Sequence, residues 1–140
     1  MHLVIISASV REGRKSHRVA LFLQKTIAAN SITVEILDLK EYDFPIFHER
    51  LRHQKDPAPK TVDFAERVRK ADGVIIVTPE YNGGYPASTK NIVDLLTDEW
   101  RRKPVAIATV SDGSFGGTQV ITSLLFSLWK IKAWVVVHVP

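Results

Sequence analysis

The chain has 140 residues, 45% of them hydrophobic, which predicts one globular domain over residues 1–140. The lack of cysteine excludes a disulfide framework, thiolate zinc sites and a cysteine nucleophile, and with a start at Met1 that shows no basic leader it predicts a cytoplasmic protein. Lys and Arg number 19 against 15 Asp and Glu, so the net charge of +4 favours anionic small ligands but is too weak to predict nucleic acid binding. No apolar run approaches the ~20 residues that cross a membrane.

Five short apolar runs, rich in β-branched residues, predict five strands over residues 3–6, 33–37, 74–77, 105–110 and 133–139. Helical spacing predicts four helices: from Ser16 or His17 to Asn30, one that ends at the turn of Asp72 and Gly73, one over 87–96, and one over 118–129. The second of these follows a polar loop that contains Pro57 and Pro59, and Val62, Ala65, Val68 and Arg69 mark it. In the first helix the predicted buried stripe is Val19, Ala20, Phe22, Leu23 and Ile27. Because every crossover is long enough for a helix, we predict an α/β fold with a parallel sheet and right-handed connections.

Two doubly wound strand orders fit five parallel strands, the flavodoxin-like 2-1-3-4-5 and the nucleotide-binding 3-2-1-4-5. In the first order the switch point lies between strands one and three, and polar loops at residues 7–16 and 79–86 follow those strands. We therefore predict a flavodoxin-like sheet in the order 2-1-3-4-5. No helical pattern follows the fifth strand, so we expect the C-terminal helix to be absent and the protein to be an oligomer or a truncated form.

The loop at residues 7–16 lies between a buried strand and a helix start, which predicts an anion site. The N–H groups at the helix start, the hydroxyls of Ser9 and Ser16, and the guanidinium of Arg11 or Arg14 can converge on a phosphate. A capped helix with a solvated basic loop is an equally good interpretation of this loop alone. The loop lacks both the Walker A pattern and the glycine pattern of dinucleotide-binding loops.

The stretch from residue 78 to 91 joins a buried strand to an amphipathic helix through a polar, glycine-rich turn. Tyr81 and Tyr85 offer flat faces, Asn82 offers a donor and an acceptor, and Gly83 and Gly84 allow close backbone approach and positive φ. A planar heteroaromatic ligand would suit this loop. The loop at residues 111–117 adds further glycines and small polar groups, although by itself it reads better as a flexible turn.

Three motifs in this order resemble the NAD(P)H-dependent FMN reductase family. They are Ser9-x-Arg11-x-Gly13-Arg14, Pro79-Glu80-Tyr81-Asn82 followed by Pro86, Lys90, Asn91 and Asp94, and Ser111-x-Gly113-x-x-Gly116-Gly117. The resemblance covers nearly the whole chain and implies a flavodoxin-like fold, a bound FMN, a dimer, and azo, quinone, chromate or flavin reductase activity. The chain departs from the family's common pattern in the spacing of its first loop and in ending directly after the fifth strand.

The resemblance also implies which residues bind FMN. Ser9, Arg11 and Ser16, with the amides of His17 and Arg18, would hold the phosphate. Residues 79–84 would line the ring with Asn82 at its polar edge, and residues 111–117 would border its other side. The predicted cofactor-binding residues are Ser9, Arg11, Arg14, Ser16, His17, Arg18, Pro79, Glu80, Tyr81, Asn82, Gly83, Gly84, Ser111, Gly113, Gly116 and Gly117. We predict no catalytic acid, base or nucleophile, because the flavin would carry the chemistry, and no metal site.

The expected reaction passes hydride from NADPH or NADH to FMN and then electrons to a small-molecule acceptor, in a homodimer or homotetramer without nucleic acid or membrane partners. Two alternatives stay open. A flavodoxin-type electron carrier would share the fold, but the positive net charge and the arginines of the first loop speak against it. A cofactor-free interaction domain of the same fold is the second.

Overall fold

The apolar runs of the sequence form one parallel sheet in the computed structural model, which describes residues 1–136. Its strands are β1 His2–Ser7, β2 Thr33–Asp38, β3 Gly73–Pro79, β4 Pro104–Val110 and β5 Trp134–Val135. Its helices are α1 Ser16–Ala28, α2 Leu39–Tyr42, α3 Pro59–Lys70, α4 Ala87–Leu95 and α5 Thr118–Lys130, with a 3-10 turn at Leu51–His53. The order β2-β1-β3-β4-β5, with every pair parallel, confirms the predicted flavodoxin-like fold.

The predicted helix ends lie within two residues of the observed ones, and α3 begins at Pro59, which the sequence had placed in the preceding loop. The fifth strand is shorter than predicted, and its predicted continuation over residues 137–139 lies outside the described residues. The predicted absence of a C-terminal helix concerns the same end of the chain and stays a prediction. Within residues 1–136, no helix has the length and apolar character required to cross a membrane.

Two apolar cores lie on opposite faces of the sheet, because successive side chains of β1 alternate between them. Val4 and Ile6 belong to the larger core, which packs α3, α4 and α5 against the sheet and contains the fully buried Trp100. Ile5 belongs to the smaller core, which contains Ala20 of α1. The direction of the chain reverses after β2, so α1 lies on one face and the later long helices lie on the other.

Two local features differ from the sequence-based expectation. Phe22, predicted to be buried, is 66% exposed, because it lies about 200° around α1 from the buried Ala20. Between β2 and α3, where no helix was predicted, the chain contains α2 and part of an aromatic cluster. In that cluster Tyr42 and Phe44 stack at 5.2 Å between ring centroids, and each meets the edge of Phe64.

Candidate functional site

The loops that follow β1, β3 and β4 enclose a cavity of about 210 Å³ at one edge of the sheet. This is where ligands bind in doubly wound folds, because the carboxyl ends of parallel strands meet there. The predicted site residues that line the cavity are Ser9, Arg11, Arg14, Ser16, Pro79, Glu80, Tyr81 and Ser111. The predicted residues outside its lining are His17, Arg18, Asn82, Gly83, Gly84, Gly113, Gly116 and Gly117.

The start of α1 presents free donors to this cavity. Lys15 caps the helix without a side-chain hydrogen bond, and the first turn contains no acidic residue. The first N–H groups of any helix lack acceptors within the helix. The Ser16 hydroxyl is buried at the cavity wall and has no hydrogen-bond partner among residues 1–136. Because buried polar groups without partners are rare and costly, this helix start fits a phosphate group.

Arg14 is engaged differently from the sequence-based expectation. Both of its terminal nitrogens donate to the carboxylate of Asp38, and one of them also donates to the Ser9 carbonyl at 2.7 Å. The Arg14 side chain is 14% exposed and that of Asp38 is 4% exposed. These contacts direct the guanidinium toward the end of β2 and leave Arg11 as the exposed arginine at the cavity.

Glu12 contributes a negative charge to the same loop, and Lys40 compensates that charge. The Lys40 ammonium donates to the Glu12 carboxylate at 2.6 Å. This hydrogen bond, assisted by the positive charge, holds the pKa of the Glu12 carboxyl below its ordinary value. With Glu12 paired, the positive charge of Arg11 at the cavity remains available to an anion, while the Lys15 ammonium lies 3.8 Å from the Asp112 carboxylate.

Tyr81 connects the loop after β3 to the loop after β1. Its hydroxyl shares a hydrogen bond of 2.7 Å with the Ser9 hydroxyl, and the Arg11 guanidinium lies 5.5 Å from the centre of its ring. The second contact is within the range of cation–π attraction. The predicted phosphate loop and the predicted ring-binding loop therefore support each other directly.

A tight hairpin shapes the loop after β3. Tyr81 and Gly84 exchange backbone hydrogen bonds of 2.8 and 3.1 Å, and Asn82 and Gly83 between them have φ of 53° and 78°. Two consecutive residues with positive φ are typical of a type I′ turn. Positive φ was expected to be possible at Gly83 and Gly84. In the structure the two residues with positive φ are Asn82 and Gly83, one position closer to the N-terminus. Asn82 is exposed at the tip of the hairpin.

Close packing fixes the loop after β4 at its end. Gly117 has φ of 82°, and a Cβ at this position would lie 2.9 Å from the Thr109 Cβ. The Thr109 hydroxyl donates to the Gly116 carbonyl at 2.7 Å, and the Gly113 N–H donates to the Ser111 hydroxyl at 3.0 Å. These contacts hold the two ends of the loop against β4.

A larger groove of about 610 Å³ lies on the far side of the first loop. Val10 lines this groove, while its neighbours Ser9 and Arg11 line the first cavity. The segment from Phe44 to Phe47 and the start of α4 form other walls. Asn91 holds this segment in place, because its side chain accepts from the Phe47 N–H at 2.5 Å and donates to the Pro45 carbonyl at 2.8 Å.

Sequence reasoning missed this groove and the role of Asp38. The apolar residues at positions 44, 46 and 47 were the available signal for the groove, but the prolines around them favoured a loop. Asp38 ends β2 directly beside Ser7 of β1, so the predicted strand order already placed a carboxylate next to the first loop.

Comparison with known proteins identifies the family. The profile of the family described as NADPH-dependent FMN reductase matches residues 1–139. The chain is 30% identical to the NAD(P)H-dependent FMN reductase LOT6 of Saccharomyces cerevisiae, over 94% of this chain and 75% of the relative. It is 38% identical to a quinone reductase of Escherichia coli K12, over 85% of this chain and 64% of the relative.

Among solved structures, FerB, a flavoenzyme NAD(P)H:(acceptor) oxidoreductase of Paracoccus denitrificans, has the same fold with a TM-score of 0.85. The two sequences are 24% identical, and the match covers 99% of this chain and 76% of FerB. The chain thus spans only part of the length of each of these proteins. The matches confirm the predicted family, the oxidoreductase class, and FMN with NAD(P)H as the flavin and its electron donor. The chain belongs to the NADPH-dependent FMN reductase family.

Proposed function

We propose that this chain binds FMN at the 210 Å³ cavity and passes electrons from NADPH or NADH to a small acceptor such as a quinone. The observation that carries the proposal is the buried, unpartnered Ser16 hydroxyl at the start of α1, on the wall of a cavity that three sheet-end loops share. FMN, when bound, supplies the hydride-accepting and electron-donating chemistry. The protein would bind the FMN, orient its ring and leave one face of the ring open to the electron donor and the acceptor.

The phosphate end of the cofactor is assigned to the start of α1. Ser16 would donate its hydroxyl, and the backbone N–H groups of Ser16 and His17 would add donors at the positive end of the helix dipole. Arg11 would contribute a charge-assisted hydrogen bond. Arg18 is exposed on the first turn and adds positive charge near the phosphate.

The ring end is assigned to the hairpin and to the loop after β4. Tyr81 is held by Ser9, so it presents a fixed aromatic surface at the cavity. Gly113, Gly116 and Gly117 have no side chain at three of the seven positions of the loop at residues 111–117, which would allow close approach of a ligand to the backbone there. Glu80 lines the cavity, and we assign it no proton transfer, because hydride transfer to a flavin requires no side-chain nucleophile.

The apolar groove on the far side of the first loop shares no lining residue with the cavity, so we assign it to the first docking of the acceptor and not to electron transfer itself. Val10, Phe44, Ile46 and Phe47 give it an apolar wall suited to a planar, weakly polar molecule. Ile46 is 90% exposed, which leaves this wall open to an incoming ligand. The quinone reductase among the relatives supports a quinone as the acceptor.

We also propose that the protein is cytoplasmic and forms a homodimer or homotetramer. Several large apolar side chains are exposed, among them Phe22, Ile46, Phe126 and Trp129, and such surfaces favour association. The lack of cysteine supports a reducing compartment. Light scattering at several protein concentrations tests the oligomer, and a monomer at all of them would contradict it.

A visible spectrum tests the function. The purified protein, loaded with FMN, should show flavin absorbance that bleaches when NADPH is added without air and returns when a quinone is added. FMN that binds but is not reduced by NADPH would favour an electron carrier. A protein that binds no FMN would favour the cofactor-free interaction domain and overturn the proposal.

A further inference from the structure

The first loop is fastened to the end of the neighbouring strand by one ion pair. Arg14 donates two parallel hydrogen bonds to the two carboxylate oxygens of Asp38, the last residue of β2. The same guanidinium donates to the Ser9 carbonyl at 2.7 Å. Arg14 thereby joins the beginning of the loop, its end and the adjacent strand.

Asp38 is itself fixed by further contacts. Its carboxylate accepts a hydrogen bond from the Lys40 N–H at 3.0 Å and so caps α2. It also lies 3.6 Å from Nδ1 of His17, which is 3.0 Å from the Ser7 hydroxyl. A planar guanidinium and a carboxylate in bidentate contact define both distance and orientation, which a lysine in the same place would not do.

We infer that Arg14 and Asp38 are positioning residues that hold the loop between Ser9 and Ser16 in its phosphate-binding shape before the cofactor arrives. The inference rests on the proposed function and changes the part that Arg14 has in it. Arg14 is not assigned to the phosphate, because three of its five N–H donors are engaged by Asp38 and Ser9 and the Asp38 carboxylate compensates its charge. A loop ordered in advance loses less conformational freedom on binding, so it binds more tightly.

The direction in which Asp38→Asn changes FMN affinity distinguishes this positioning role from direct binding of the phosphate by Arg14. If Arg14 bound the phosphate and Asp38 only competed for it, Asp38→Asn would free the guanidinium and remove a negative charge near a dianion, and FMN would bind more tightly. If the pair holds the loop in place, Asp38→Asn loosens the loop and FMN binds more weakly.

The experiment measures FMN and riboflavin dissociation constants by quenching of flavin fluorescence. Riboflavin lacks the phosphate, so the ratio of the two constants reports on the phosphate loop alone. For Asp38→Asn we expect FMN affinity to fall about tenfold and riboflavin affinity to change less than twofold. Arg14→Lys keeps the charge but not the bidentate fork, and we expect the same loss of FMN affinity.

Glu99→Gln is the matched control. Glu99 is also buried, accepts from the Arg69 guanidinium at 2.6 Å, and accepts from the Thr97 N–H at 3.1 Å. It lies outside the cavity lining. Its substitution should lower stability toward urea while the ratio of FMN to riboflavin affinity stays at the wild-type value.

Hydrogen exchange of the amides at residues 9–16 in the flavin-free protein gives a second readout. We expect exchange to be faster in Asp38→Asn than in the wild type, with unchanged exchange in the strands. Equal or tighter FMN binding by Asp38→Asn, full FMN affinity in Arg14→Lys, or an altered ratio in Glu99→Gln would overturn the inference. A wild-type protein that binds no flavin would instead overturn the proposed function, and the exchange measurement would still decide whether the pair orders the loop.

Discussion

The loop after β1 and the hairpin after β3 border the same cavity, yet different interactions determine their shapes. The first depends on side chains: Arg14 binds Asp38 and the Ser9 carbonyl, and Lys40 pairs with Glu12. The hairpin depends on its backbone, because two residues with positive φ close a turn between two reciprocal hydrogen bonds. The loop after β4 resembles the hairpin in this respect. Position 117 requires a glycine, because its φ is positive and a Cβ there would lie too close to Thr109.

Because different interactions shape them, the two kinds of loop should respond to different substitutions. Loops shaped by side chains should lose ligand affinity when charge or hydrogen-bond geometry changes. Loops shaped by backbone should lose stability when a Cβ is introduced, whatever the side chain's polarity. The predictions below separate the two classes.

Gly117→Ala should have the largest effect. Its φ of 82° disfavours a side chain, and the new Cβ would lie 2.9 Å from the Thr109 Cβ, which cannot move without its strand. We expect a loss of about 2–3 kcal/mol in the free energy of unfolding, measured in urea, from strain and overpacking together.

Gly116→Ala is the control for this prediction. Gly116 also has a positive φ, of 58°, but a Cβ there meets nothing within 4 Å. Its loss should be about 1 kcal/mol, from strain alone. Equal losses in the two variants would show that the contact with Thr109 has no energetic weight.

Arg11→Ala should weaken FMN binding about tenfold while lowering the free energy of unfolding by no more than about 0.5–1 kcal/mol, from the lost cation–π contact with Tyr81. The arginine is exposed, so its removal leaves no buried group unpaired. Titration with FMN and with riboflavin measures the effect, and the affinity for riboflavin should remain close to that of the wild type. Undiminished FMN affinity would remove Arg11 from the phosphate site.

Ser9→Ala and Tyr81→Phe test the hydrogen bond that joins the two kinds of loop. The hydroxyls of these residues share a hydrogen bond of 2.7 Å. In a double-mutant cycle on unfolding we expect a coupling of about 0.5–1.5 kcal/mol, the range for a hydrogen bond between neutral groups. A coupling near zero would mean that the loops are ordered independently.

The sequence predicted what depends on periodicity and strand order. The fold, the helices to within two residues and the meeting of three polar loops follow from apolar runs and from the reversal of the chain after β2. Apolar spacing alone did not reveal which face Phe22 takes, because an apolar residue beside the buried stripe matches the same pattern.

The sequence predicted less about contacts between residues far apart in the chain. Arg14 carries the same donors whether it meets a phosphate or a carboxylate, and only the position of Asp38, 24 residues later, decides between them. The predicted turn position was one residue too late in the chain. Asn adopts positive φ more readily than other non-glycine residues, so Asn82 takes the first turn position.

Asn82 offers the smallest and most selective test, because its backbone and its side chain have separable roles. Its φ of 53° predicts that Asn82→Gly keeps the wild-type free energy of unfolding, whereas Asn82→Ala loses about 0.5–1 kcal/mol. If the exposed amide meets the polar edge of the flavin, both variants should slow flavin reduction by NADPH by the same factor, since both lack it. Urea unfolding and anaerobic stopped-flow measure the two effects. Equal stability of the two variants would contradict the backbone role, and wild-type reduction rates in both would leave the residue with that backbone role alone.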